Sequence, residues 1–243
     1  MRKILNNERP LLIIKTGSAI HQAAEHGDFE DWIVDGMNLN GQPVCVCRVD
    51  KGEDLPEAEG LIGVVITGSP AMVTERLNWS EKTAEWLRGA VPTGLPILGI
   101  CFGHQLLAHA LGGRVSADPA GREIGTVEVR LDSAAESDLL FRGIPPVFLA
   151  QATHEQSVIE LPAESVALAE SPHPANHAFR VGPCAWGVQF HPEFDDEVME
   201  SYLSARAPVL REEGLNPECL LDAVRPAPVA AGVLRRFSEI VFG

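Results

Sequence analysis

Pro96-Ile97-Leu98-Gly99-Ile100-Cys101-Phe102-Gly103-His104-Gln105-Leu106-Leu107-Ala108-His109-Ala110-Leu111-Gly112-Gly113 changes character at Cys101. Before it, a short apolar run bounded by proline and glycine has the form of a strand buried on both faces. After it, residues 102–111 read as a helix that Gly112-Gly113 stops. A residue between such a strand and helix sits on a sharp, strained turn and projects from the end of the sheet, with glycines on either side permitting the tight backbone. A helix N-terminus favours a thiolate there. Cys101 is therefore a candidate nucleophile, and the Phe102 N–H a candidate donor to an oxyanion.

Two other segments complete a constellation. Ala185-Trp186-Gly187-Val188-Gln189-Phe190 is apolar and strand-forming, and it runs into His191-Pro192-Glu193. Side chains two apart on extended backbone share a face. His191 is thus the candidate base and Glu193 the group that orients it, as a thiol nucleophile requires. Upstream, Val64-Val65-Ile66-Thr67-Gly68-Ser69-Pro70 is a β-branched strand entering a turn of small residues. Gly68 is the candidate second oxyanion donor.

Outward from these motifs the chain alternates strands and helices. Strands are expected at 11–16, 43–49 and 63–67, a helix capped by Asp28 at 28–39, and another from Ser80 to Gly89. The order β-α-β-β-α-β-elbow-α implies an open, mostly parallel sheet with helices on both faces. Ligands of such sheets bind beyond the carboxyl ends of the strands, where Thr67, Cys101 and His191 fall. Short strands are expected at 123–131, 147–153, 166–170 and 177–181, forming a small antiparallel portion. The remainder reads as helix over 195–213 and a helical tail, interrupted by Pro208, Pro217, Pro226 and Pro228.

A net charge of −15 over 243 residues argues against nucleic acid and against anionic membrane surfaces as partners. The five cysteines show no paired spacing, which fits free thiols in a reducing cytoplasm. Residues 11–14 are too short an apolar run for a leader or a membrane span. Cys45-Val46-Cys47 lies in an expected strand, whose alternation is taken to point the two thiols apart as packing residues. No histidine or cysteine spacing matches a metal site. His104 and His109 share no helix face, and His173, Pro174 and His177 read as an exposed turn. His21 and His26 read as a solvated loop, and Trp186 as core.

The strings ITGSP, GICFGHQLLAHALGG and GVQFHPEF, in this order, resemble the class I glutamine amidotransferase family over residues 11–207. The resemblance implies a flavodoxin-like fold and hydrolysis of the glutamine side-chain amide through a cysteinyl thioester, without a cofactor. It assigns Cys101 as nucleophile, His191 as base and acid, Glu193 as its orienter, and Gly68 and Phe102 as the oxyanion hole. It also implies substrate contacts from Gln105 and from the loop Thr153-His154-Glu155-Gln156. That loop departs from the commoner pattern of a small residue and then Asp after the histidine. Arg122-Glu123-Ile124-Gly125 is similar to stretches in stand-alone members, some of which hydrolyse γ-glutamyl peptides. The expected organisation is an extension at 1–10, the amidotransferase-like domain at 11–207, and a tail at 208–243 packed on it. No synthetase domain is expected after the triad, so ammonia would pass to an unidentified synthetase partner or to water. Two alternatives stay open: a γ-glutamyl peptide hydrolase with the same triad, and a non-catalytic binding or regulatory module.

Overall fold

Nine strands form one sheet in the computed structural model, which describes residues 9–39, 41–173 and 176–243. Residues 1–8 of the expected extension, and Pro174, lie outside the described residues. One half is parallel: β2 (Val44–Arg48), β1 (Leu11–Lys15), β3 (Gly63–Ile66), β4 (Ile97–Ile100) and β11 (Ala185–Val188) lie side by side in that order. The other half is antiparallel and continues the same sheet through β10 (Asn176–Val181), β9 (Ser165–Glu170), β6 (Glu123–Leu131) and β7 (Val147–His154). The antiparallel part is thus no small appendage. A separate ribbon pairs β5 (Arg114–Ala117) with β8 (Gln156–Glu160). The sequence reading missed both ribbon strands; each is short, and β5 is only partly buried.

Alternation along the parallel strands feeds two cores. Leu11, Ile13, Val65, Leu98 and Ile100 face one side, where α1 (Phe29–Met37) and α6 (Pro228–Phe242) cover them. Leu12, Ile14, Val64, Ile66 and Ile97 face the other, under α2 (Asn78–Ala90) and α3 (Phe102–Ala110). Asp28 caps α1 as expected, accepting from the Phe29 N–H at 2.8 Å, while Asp31 reaches back to the Asp28 N–H at 3.0 Å. A third apolar cluster, with Phe29, Trp32, Phe194 and Tyr202, lies beneath α4 (Asp196–Glu212), beside the ends of the parallel strands.

Several local expectations are corrected. Cys45 and Cys47 pack into the same core, because residues two apart on a strand share a face. Gly89 does not end α2, which runs to Ala90. Pro208 lies inside α4 on its exposed side, while Pro217 and Pro228 open α5 (Pro217–Asp222) and α6, where a missing N–H costs nothing. His177 is not in an exposed turn: it sits on β10 and is fully buried. Among the described residues no helix is long and apolar enough to cross a membrane.

Candidate active site

Three strand ends converge on Cys101. The residue follows β4 directly and has φ 50° and ψ −99°, a strained conformation for a side chain larger than glycine. The glycines around it make the turn possible. A β-carbon on Gly99 would lie 2.4 Å from the Gly103 carbonyl oxygen, and one on Gly103 would lie 2.5 Å from that of Ile66. The Cys101 sulfur is buried and lies 3.8 Å from the Thr153 carbonyl oxygen, at the end of β7.

His191 follows β11 and is tied to the antiparallel half by its own N–H, which donates to Gln151 O at 2.8 Å. Its Nδ1 donates to Glu193 Oε1 at 2.7 Å, with both side chains almost wholly buried. Phe194 stacks on the imidazole at 4.1 Å between ring centres, and Phe29 lies parallel to it at 6.3 Å. The ring is therefore held by a carboxylate at one edge and by aromatic planes at its face. Burial works against a charged imidazole. The Glu193 carboxylate and the nearby Cys101 sulfur outweigh it and push the His191 pKa up to about 10. Nε2 meets no hydrogen-bond partner among the described residues, and Cys101 is the other side chain, besides Glu193, that acts on the ring.

Gly68 closes the site from β3. A β-carbon there would lie 3.0 Å from His191 Cε1, so only glycine lets the backbone come this close without displacing the ring. The Thr16 hydroxyl reaches the Thr67 and Gly68 carbonyls at 3.1 and 2.8 Å, which holds the peptides on either side of Gly68. Neither the Gly68 N–H nor the Phe102 N–H donates to another group among the described residues. Two unengaged backbone donors thus stand at the ends of β3 and β4, where Gly68 and Phe102 follow these strands.

The expected substrate contacts divide. Gln105 borders the cleft, and its amide nitrogen donates to Gln156 O at 2.6 Å and Gln189 Oε1 at 3.0 Å. Thr153 and Glu155 also border it, with Glu155 paired to Arg122 at 2.6 Å and Arg122 held in turn by two bonds to Glu213. His154 borders the cleft as well, but its ring is tied to the interior, with Nε2 2.9 Å from Glu123 Oε2 and Nδ1 3.1 Å from Gln156 O. His177 Nε2 reaches the same Glu123 oxygen at 2.7 Å. These three residues place ligand-type atoms within 4.8 Å of one another, but both imidazoles address one carboxylate oxygen, so the group is a hydrogen-bonded brace behind the loop. No local pattern in the sequence joined Glu123, His154 and His177. Phe194, Tyr202 and Arg206 were missed for the same reason. His21 and His26 are exposed but begin and end a short 3-10 helix, His21–His26, in place of the expected loop, and it is Ser18 and Ile20 just before it that reach the cleft.

Fold and site together define a class: an open α/β scaffold whose cysteine elbow faces a histidine–glutamate pair. A family model described as glutamine amidotransferase class-I matches residues 25–207. A protein of Methanopyrus kandleri, named as one subunit of a glutamine-hydrolyzing GMP synthase, is 35% identical over 170 residues, 69% of this chain and 85% of that protein. A GMP synthase (glutamine-hydrolyzing) of Aeropyrum pernix is 35% identical over 158 residues, 63% of this chain but only 28% of that protein's length. The crystal structure of a glutamine amidotransferase from Thermotoga maritima matches with a TM-score of 0.77 at 24% identity, covering 96% of this chain and 98% of that one. The chain belongs to the class I glutamine amidotransferase family, which is a family of enzymes.

Proposed function

We propose that this protein hydrolyses the side-chain amide of glutamine through a thioester on Cys101. The observation that carries the reading is the juxtaposition of a strained elbow cysteine with a buried His191–Glu193 pair whose imidazole, against the pull of burial, is raised in pKa by the carboxylate and by that cysteine. The Cys101 thiolate attacks the amide carbon, and the oxyanion accepts hydrogen bonds from the Gly68 and Phe102 N–H groups. Such preorganised donors are each worth about 10²–10³ in rate. His191 gives its proton to the nitrogen as the C–N bond breaks, and ammonia leaves. Water then attacks the thioester while His191 takes its proton, and glutamate is released with the thiolate restored. Glu193 holds the imidazole tautomer and supports its charge throughout.

The names of the Methanopyrus and Aeropyrum relatives, both glutamine-hydrolyzing, support this reading. That the Methanopyrus relative is named as one part of a synthase also supports a synthetase partner as recipient of the ammonia. The test is glutamate release from glutamine by the purified protein and by Cys101→Ala. Turnover that survives in Cys101→Ala would sink the proposal. Stimulation by an added synthetase would identify the recipient.

A further inference from the structure

Glycine at position 68 meets one requirement and creates another. Its bare α-carbon lets the turn approach the His191 ring, where a β-carbon would lie 3.0 Å from Cε1. The same bareness frees the peptide that joins Thr67 to Gly68, since glycine accepts φ of either sign. In a trans peptide the N–H points away from the C=O. A half-turn of this one unit would present the Thr67 carbonyl where the Gly68 N–H now lies. An acceptor in place of a donor repels an oxyanion instead of stabilising it.

Thr16, the buried residue that follows β1, opposes that rotation with all three of its polar groups. Its N–H donates to Thr67 Oγ1 at 3.1 Å, and its carbonyl accepts from Ser69 Oγ at 2.7 Å. Its hydroxyl lies 3.1 Å from Thr67 O and 2.8 Å from Gly68 O. A hydroxyl has one proton to give. The assignment that satisfies both carbonyls has Thr67 Oγ1 donating to Gly68 O, at 2.9 Å, and Thr16 Oγ1 donating to Thr67 O. Among the described residues no backbone N–H reaches Thr67 O, so the Thr16 hydroxyl is what pins this carbonyl. Thr16 is itself held from both sides by the cap of α1. Lys15 Nζ lies 2.6 Å from Asp28 Oδ2, and the Ala19 N–H donates to Asp28 Oδ1 at 2.8 Å. Gly17 then passes so close to the turn that a β-carbon on it would lie 2.6 Å from Pro70 Cδ. We infer that Thr16 is a positioning residue for the reaction: its hydroxyl locks the Thr67–Gly68 peptide with the N–H available to the oxyanion. The inference rests on the hydrolase reading above, in which Gly68 supplies one of the two donors.

The experiment compares the wild type with Thr16→Val and Thr16→Ser. Valine keeps the side-chain shape and both backbone bonds and removes only the hydroxyl; serine keeps the hydroxyl. Thr16→Val is expected to lower kcat for glutamine about 10–100-fold, up to the worth of one oxyanion donor, with KM within about threefold. Alkylation of Cys101 by iodoacetamide displaces iodide and forms no oxyanion, so its rate should stay within about threefold of wild type while the thiolate is undisturbed. Thr16→Ser is expected to recover most of the lost turnover. A valine variant with wild-type kcat overturns the inference. So does a serine variant as slow as valine, since the role would then be packing, and so does a parallel loss of alkylation, since the whole site would then have moved. The wild type gives a test that does not depend on a variant folding: NMR relaxation dispersion at the Gly68 amide should find one conformation on the microsecond-to-millisecond timescale, and exchange there overturns the inference. Cys101-dependent glutamate release beside a silent Thr16→Val leaves the hydrolase reading standing. Absence of that release from the wild type overturns both.

Discussion

His191 Nδ1 and Glu193 Oε1 meet at 2.7 Å across the single proline that separates the two residues. The contact is buried, and it raises the basicity of the imidazole that the proposed mechanism uses to move protons. Glu193→Gln is expected to lower kcat with KM largely unchanged, since the carboxylate acts on the transition state through His191. His191→Asn removes proton transfer itself and should cost about 10²–10⁴ in turnover. Steady-state kinetics on glutamine check both, and a silent Glu193→Gln would reduce the triad to a dyad.

The same pair has a pH signature. The folded pKa of His191, about 10, lies above its ordinary 6.5, so protonation favours the folded protein. That contribution is complete below about pH 6.5 and is lost as the pH rises through about 10. In Glu193→Gln the largest raising influence is gone and burial remains, so the imidazole should titrate lower. Histidine ring-proton NMR reads the shift directly; an unchanged midpoint would contradict the assignment.

The elbow leaves no room for a methyl group. Gly103→Ala would set a β-carbon 2.5 Å from Ile66 O, and Gly99→Ala would set one 2.4 Å from Gly103 O. Each should destabilise the fold by about 1–3 kcal/mol, as overpacked cores do, and should lower turnover by displacing Cys101. Urea midpoints and glutamine kinetics are the measurements. Wild-type values for both variants would show that the turn is looser than described.

Glu123 braces the 153–156 loop from behind. Burial disfavours its charge, but hydrogen bonds from His154 and His177 outweigh that and hold the carboxyl well below the usual range. A depressed carboxylate contributes stability that is present above about pH 4.5 and is lost as the pH falls. Glu123→Gln removes one partner of a buried cluster and is expected to cost about 3–5 kcal/mol. Chemical denaturation at neutral pH measures it, and a loss below about 1 kcal/mol, the level of an exposed pair, would contradict a buried charge at this position.

His104 is fully buried under β11, where a β-carbon on Gly187 would lie 2.7 Å from its Nδ1. Burial above all pulls its pKa down to about 3, so the folded protein holds the ring neutral. The unfolded chain takes up a proton near pH 6.5, and stability is expected to fall as the pH drops from about 6.5 toward about 3. His104→Leu should flatten that acid slope. Urea midpoints measured at several pH values test it, and an identical slope in the variant would mean the ring is not the group responsible.

The elbow at Cys101, the His191–Glu193 pair and the parallel half of the sheet follow from local pattern: an apolar strand, a cysteine between glycines, a helix, and a strand running into His-Pro-Glu. Each signal lies within a few residues, because strand, turn and helix preferences are set by near neighbours. The width of the antiparallel half, the inward tie of His154, the burial of His177 against Glu123, the stacking of Phe194 on His191, and the arrival of Tyr202 and Arg206 at the cleft are properties of packing. Arg206 lies 105 positions beyond Cys101 in the chain, and Glu123 lies 31 before His154 and 54 before His177. Contacts across such separations depend on how whole strands and helices dock, and no repeat or short spacing in the chain encodes them.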